Sequence, residues 1–275
     1  MRDHEENVAR LAPRSSELDE HTPNIARMYD YFLGGSTNFA ADRAAAEQLL
    51  RAFPGNTEWA HINRAFLGRA VRACAEAGIE QFLDLGSGIP TRGNVHEIAQ
   101  QVNPAARVAY VDIEPIAVSH ARHLLAGNRH VTMTQADVRE PETVLAAPGV
   151  SGLLDFTRPV AVLAAAVLDI IDTPDPATLV TAYRDACPGG SALVLSHSAA
   201  LDASTGEVEG AQRVFESTTT PTLRTRERSE VLAMFDGYEL LEPGLVPSAR
   251  WRPVEPVSEE YAVRSNGYGA VGVLR

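Results

Sequence analysis

The sequence predicts an α/β fold: a mostly parallel sheet of seven strands, closed by an antiparallel C-terminal hairpin and preceded by a cap of helices. Three observations carry this. Apolar residues recur at helical spacing up to about residue 78, short apolar runs alternate with helix-like segments from Gln81 onward, and two further runs lie beyond a last helix near the C-terminus.

Residues 1–20 are charged and without period, and are expected to be mobile. A helical cap follows over residues 21–78. Thr22 can cap a first helix with Pro23 in its first turn; Ile25, Met28, Tyr29 and Phe32 then share one apolar face, and Gly34 with Gly35 stops it. A second helix runs from near Phe39 to Phe53, before Pro54. In a third, from about Glu58 to Ala77, Trp59, Ile62, Phe66, Ala70 and Cys74 recur on one side, and Gly78 ends it.

The core is expected over residues 79–275. Its strands are read at Gln81 to Leu85, Arg107 to Val111, His130 to Gln135, Pro159 to Ala165 and Ser191 to Ser196. Strands that alternate with helices give a parallel sheet covered on both faces, a Rossmann-like arrangement. Beyond a helix at about Thr225 to Phe235, "YELLEP" from Tyr238 and "YGAVGVL" from Tyr268 form the closing hairpin, with a long connection through Trp251.

Composition narrows the function. The 275 residues, 45% of them hydrophobic, can build one large core, and a formal net charge of -12 argues against the phosphate backbone of nucleic acid or an anionic membrane as main partner. Cys74 and Cys187 have no CxxC spacing, and "MRDHEENVAR" lacks the apolar core of a signal peptide, so a reducing cytoplasm is the expected compartment. The longest apolar stretch, Pro159 to Ile171, is interrupted by Asp169 and falls short of the about 20 residues that span a bilayer. All 24 basic residues are arginine. Without lysine there is no Schiff-base chemistry, no P-loop lysine and no Tyr-xxx-Lys pair.

In a doubly wound sheet, ligands bind at the carboxyl ends of strands. "QFLDLGSGIP" places Gly86 and Gly88 directly after the first strand, where missing side chains let the backbone approach a ligand; a lone GxG also marks an ordinary tight turn. "VAYVDIEP" ends the second strand in Asp112, a carboxylate able to accept both hydroxyls of a ribose or, alternatively, to cap the following helix. "TQADVRE" puts Asp137 after the third strand, where it can accept the exocyclic amine of adenine while Val138 lines the ring. Three such elements, each after a successive strand, indicate adenosine binding.

From Pro23 onward the chain resembles the class I S-adenosylmethionine-dependent methyltransferases, and within them an actinobacterial group long known as a domain of unknown function. The residues that carry the resemblance are "ARMYDYFLGGSTNFAADR", "NRAFLGRAVR", "QFLDLGSGIPTRGNVHEIAQ", "YVDIEP", "QADVREPE", "LDFTRPVAVL" and "LVLSH". The resemblance implies S-adenosylmethionine as cofactor and S-adenosylhomocysteine as product. It also accounts for Pro90 in place of a third glycine, since there is no pyrophosphate to hold. Carried over by motif, Asp84, Gly86 and Gly88 meet the methionine moiety, Asp112 the ribose, and Asp137 with Val138 the adenine; Ile113 is expected to bind the cofactor as well. Tyr31, Asn63 and Arg64 of the cap are expected to reach the cofactor carboxylate, which an arginine can hold through two parallel bonds.

Methyl transfer from a sulfonium is an in-line displacement served mainly by positioning and exclusion of water, although a hydroxyl or amine acceptor benefits from a base. Asp169, after the fourth strand in "AVLDIIDTPDP" with Asp172 nearby, and His197, at the end of the fifth in "LSHS", are the candidate bases. Many members of the subfamily it resembles carry histidine at the position of Asp169, a departure that leaves the base open. Asn63 with Phe66, and Tyr29 with Phe32, either line an acceptor pocket or pack the core. His120 and His123 lack a third ligand, so no metal is expected. The reading is a methyltransferase acting on a small-molecule acceptor, in secondary metabolism. The alternatives are a protein that binds S-adenosylmethionine without transferring methyl and, less in keeping with the motifs, a nucleotide-dependent oxidoreductase. The edge hairpin leaves a homo-oligomer open.

Overall fold

The computed structural model describes residues 19–90, 93–173 and 175–275. All but the last two residues of the segment expected to be mobile lie outside the described residues.

Three helices precede the sheet. The first, α1 (Ile25–Phe32), is capped by Asn24, whose side-chain oxygen accepts from the amides of Ala26 at 2.9 Å and Arg27 at 3.3 Å; the cap is thus Asn24 and not Thr22. In α2 (Ala40–Ala52), Asp42 reaches back to accept from the Phe39 amide at 2.7 Å. The long α3 (Asn56–Glu76) buries Phe66, Leu67, Ala70, Val71 and Cys74.

The alternating part follows as β1 (Gln81–Leu85), α4 (Val95–Val102), β2 (Arg107–Asp112), α5 (Pro115–Leu124), β3 (Val131–Gln135), α6 (Pro141–Ala146), α7 (Pro148–Ser151), β4 (Ala161–Ala165), α8 (Pro176–Asp185) and β5 (Ala192–Ser198). The chain closes through α9 (Thr205–Phe215), α10 (Arg228–Ala233), β6 (Tyr238–Leu240), β7 (Val246–Pro247), α11 (Glu259–Val263) and β8 (Gly267–Leu274).

The strands lie in the order β3-β2-β1-β4-β5-β8-β6, the first five parallel and β8 antiparallel to both β5 and β6. This is the seven-strand path expected from the sequence; the two-residue β7, paired with β8, is an eighth strand. The strand order reverses between β1 and β4, so their carboxyl ends flank the crevice in which such sheets hold ligands.

Alternation along the strands sends Phe82, Val108, Ala161 and Val194 to one face, under α3, α4, α5 and Trp251. Leu83, Ala109, Val162 and Leu193 go to the other, under α7, α8 and α10. A separate apolar cluster joins α1 and α2 to α9 through Met28, Phe32, Leu49, Ala211 and Phe215. The cap therefore has two supports: the C-terminal half of α3 packs on the sheet, and α1 with α2 packs on α9.

Candidate active site

At the end of β1 the chain turns sharply. Gly86 has φ +66°, its amide donates to Val111 O at 2.9 Å, and a Cβ placed on it would lie 2.3 Å from Val167 Cγ2. Gly88 has φ +64° and donates its amide to Asp112 Oδ2 at 2.7 Å. The other oxygen, Oδ1, accepts from the Glu114 amide at 2.9 Å. One carboxylate thus ties the loop after β1 to the end of β2. Burial pushes the Asp112 carboxyl up from its ordinary value, while the amides of Glu114, Gly88 and Ile113 pull it back.

Beneath this loop Asp84 is buried, and burial pushes it up to about 7 against the opposing pull of the Arg64 guanidinium. Arg64 itself donates through Nη2 to Asn94 Oδ1 at 3.3 Å. The loop and these charges form one end of a cavity of about 470 Å³ that also takes in Arg64, Asp112, Ile113, Asp137 and Val138. Its far end is an apolar chamber under the cap, walled by Phe32, Phe53, Trp59, Ala211 and Phe215.

Most of the residues singled out from the sequence line this cavity. Asp137 does so already paired: Arg139 Nη2 lies 2.6 Å from its Oδ2 and Nε 3.0 Å from its Oδ1, which holds the carboxyl below its ordinary range. Val138 lends its backbone oxygen to Tyr183 OH at 2.8 Å. Asn63 is buried, accepting from Ser196 Oγ at 2.6 Å and donating to Tyr29 OH at 3.2 Å.

Three residues lie elsewhere. Phe66 packs the core between α3 and the sheet, edge-on to Trp251 with ring centroids 5.6 Å apart. Tyr31 does not line the cavity; its ring packs edge-on to Phe32, with centroids 6.1 Å apart. At about 100° per residue on a helix, Tyr29 and Phe32 share the cavity face while Tyr31 points well away from it. His197 does not line it either. Strand alternation puts Ser196 and Ser198 on the α3 face and His197 on the other, where its Nε2 accepts from Arg226 Nη1 at 2.6 Å and its Nδ1–H donates to Ser198 O at 2.9 Å. Burial pushes this imidazole down from its ordinary value, and the ring stands outside the lining of the cavity.

Asp169, the other candidate base, is fully buried and lines the cavity. Its Oδ2 accepts from both the amide of Ser198, at 3.3 Å, and the Ser198 hydroxyl. Asp172 is exposed and pairs with Arg224 at 3.4 Å.

The sequence reading passed over a latch. Arg27 is almost fully buried; Nε donates to Asp42 Oδ2 at 2.8 Å, Nη1 to Glu114 Oε1 at 2.9 Å and Nη2 to Thr22 O at 2.7 Å. It also passed over α9, although Ser204 and Glu207 are spaced as a capping box, with the Glu207 carboxylate accepting from the Ser204 amide at 2.8 Å.

The donor set suits a nucleoside cofactor bearing an amino acid and no phosphate. The carboxylates of Asp84, Asp112 and Asp137 and the Arg64 guanidinium line one cavity, and Gly88 leaves its side of the loop open, the nearest atom to a Cβ there being Ala26 Cβ at 3.9 Å. The class is therefore a doubly wound α/β protein with its cavity at the topological switch point, where such folds hold nucleoside cofactors. A family model described as S-adenosyl methyltransferase matches residues 12–275, and the chain belongs to that family. It is 41% identical to a candidate methyltransferase from Thermobifida fusca YX, whose crystal structure superposes with a TM-score of 0.88 over 94% of this chain and 97% of that one. A DUF574 family protein from Streptomyces avermitilis MA-4680 is 35% identical, with a TM-score of 0.86 over 94% of this chain and 100% of that one. No curated protein matches the chain. The protein is an S-adenosylmethionine-dependent methyltransferase, and among the described residues no helix is long and apolar enough to cross a membrane.

Proposed function

We propose that this methyltransferase acts on a small molecule, of the kind made in secondary metabolism, enclosed between the carboxyl edge of the sheet and helices α1, α3 and α9. The supporting observation is the cavity itself. At about 470 Å³ it runs from the charged loop end into an apolar chamber roofed by the cap, within the usual size range of small-molecule sites. A roofed chamber of that size favours a small acceptor over a folded macromolecule, and the net charge of -12 disfavours nucleic acid. The cytoplasm is the compartment in keeping with the sequence.

In this reading Arg64 holds the cofactor carboxylate and Asp84 its ammonium. Asp112 accepts the ribose hydroxyls, Ile113 and Val138 flank the adenine, and Asp137 takes the adenine amine in exchange for part of its exposed pairing with Arg139. When bound, the cofactor supplies an activated methyl group on a sulfonium. The protein aligns the acceptor and keeps water out, and alignment alone is capable of removing much of a barrier. Asn63, held between Ser196 and Tyr29, gives the cavity a fixed polar wall.

The test is transfer of label from methyl-labelled S-adenosylmethionine into a cell extract divided by size. Label in the low-mass fraction, dependent on Asp112, is the expected result; label confined to protein or nucleic acid contradicts the reading.

A further inference from the structure

One side chain of the cavity wall is tied down at one end and unpartnered at the other. Asn266 is 7% exposed and lines the cavity. Its Oδ1 accepts from three successive amides, Leu201 at 3.1 Å and Asp202 and Ala203 at 2.9 Å. Three N–H donors demand the carbonyl oxygen, so the two ends of the amide are fixed and Nδ2 is turned away from that loop. Nδ2 donates to no atom among the described residues. Nor is it one of the unpartnered atoms closed off in the interior, which belong to Asp30, Asn56, Thr134, Asp169 and Trp251, so it meets open space. The residues around it border the same space: Ala199, whose amide donates to Asn266 O at 2.9 Å, and Ala203, bonded to Oδ1, both line the cavity.

The backbone holds this side chain where an acceptor would lie. Asn266 has φ +36°, in the left-handed region that asparagine tolerates better than most residues, and its amide donates to Val263 O at 3.0 Å. There the chain turns from α11 into β8, whose first residue, Gly267, pairs with Ser198 at the end of β5. Asn266 thus stands at the carboxyl edge of the sheet beside β5. The order β2-β1-β4-β5 puts three strand spacings, about 14 Å, between the strand that ends in Asp112 and the strand beside Asn266. The loop that Asn266 holds leads into α9, which turns Val208, Ala211 and Phe215, at i, i+3 and i+7, toward the cavity.

We propose that Asn266 sets acceptor specificity: its Nδ2 donates a hydrogen bond to an uncharged carbonyl oxygen of the acceptor, whose apolar body lies against Val208, Ala211 and Phe215. This rests on the small-molecule reading above and names the class of molecule. The Glu207 carboxylate, which lines the cavity next to Val208, disfavours an anionic oxygen there. A site built to hydrogen-bond a substrate group rejects the analogue lacking it, because the protein's own polar group is then left unpaired in a dried cavity.

The test uses pairs matched in shape, a methyl ketone and the isopropenyl compound in which CH2 replaces the oxygen, on phenyl, naphthyl and cyclohexyl bodies. Binding to the full chain is measured by ligand-observed NMR with S-adenosylhomocysteine present. The ketone of at least one series is expected to bind about tenfold tighter than its alkene. In Asn266→Asp one carboxylate oxygen keeps the three amides and the other faces the ligand as an acceptor, so the ketone should lose that preference while the alkene binds as before. A residue that only held the loop would leave the preference in place. The variant must still bind S-adenosylhomocysteine, which shows that it folds; independently of it, the Asn266 side-chain amide resonances of the labelled wild-type protein should shift with ketone and not with alkene. Equal binding of ketone and alkene in every series, a preference unchanged in Asn266→Asp, unmoved Asn266 resonances, or no fragment binding while S-adenosylhomocysteine binds, overturns the assignment and leaves the cofactor site standing. Failure of the wild-type protein to bind S-adenosylhomocysteine overturns the reading on which the inference rests.

Discussion

Arg27 Nη1 donates to Glu114 Oε1 at 2.9 Å, which joins the first helix of the cap to the residue capping α5, two positions past Asp112. With Asp42 on its other edge, the guanidinium is shared by two buried carboxylates. Removing one partner of a buried ion pair costs about 3–5 kcal/mol, because the charges left behind stay in the interior. Arg27→Leu is therefore expected to lower stability by about that much and to weaken cofactor binding, as read by urea denaturation and calorimetry. A loss below about 1 kcal/mol, the range of exposed pairs, would show that the latch carries no weight.

The two loop glycines are expected to respond differently to alanine. Gly88→Ala meets only Ala26 Cβ, at 3.9 Å, so its cost is the left-handed backbone alone, about 1–2 kcal/mol. Gly86→Ala adds an overlap with Val167 at 2.3 Å, for a further cost of about 1–3 kcal/mol. Denaturation midpoints that rank the two variants the other way would refute this account of the loop.

Asp84 gives the cofactor-free protein a pH dependence of definite sign. Its folded pKa, about 7, lies above the ordinary 3.8, so between those values the folded state keeps a proton that the unfolded chain has released. Stability from this group is full below the lower value and is lost as pH rises to about 7, by an amount on the order of a few kcal/mol. Asp84→Asn should remove this slope, seen as the difference between the two stability-pH curves. Cofactor binding should run in the opposite sense, strengthening as pH climbs through about 7, because the ammonium needs Asp84 ionised.

His197 is expected to behave as a structural residue. It bonds Arg226 and the Ser198 carbonyl on the sheet face opposite the cap. His197→Gln should cost about 1–3 kcal/mol in stability, the range for disturbing a buried hydrogen bond, while the pH-rate profile stays in place. A profile that loses an ionisation in this variant would return His197 to the chemistry.

The strands were legible because apolar runs bounded by turn residues leave little choice of period, and β1 matches its expected bounds, Gln81 and Leu85. The Gly86, Gly88 and Asp112 constellation was legible because each residue ends or follows a strand. Residues whose partners are distant were not. Arg27 meets Glu114 across 87 positions, and no local pattern marks that. Thr22 and Asn24 are both capable helix caps; the one that serves, Asn24, also donates to Thr219 Oγ1 at 2.9 Å, far along the chain. The placements of Tyr31 and His197 follow from periodicity once the lining of the cavity is known, since each has a neighbour on the cavity face: Tyr29 in one case, Ser196 and Ser198 in the other.

The central claim is that Asp112, bound to the Gly88 amide at 2.7 Å, anchors an S-adenosyl cofactor at the switch point of the sheet. Calorimetric titration with S-adenosylmethionine and S-adenosylhomocysteine tests it most directly, with NAD as control and Asp112→Ala alongside. Saturable binding of the sulfonium and thioether compounds, lost in Asp112→Ala and not shown by NAD, is the expected result. Equal binding in Asp112→Ala, or a preference for NAD, would contradict the account.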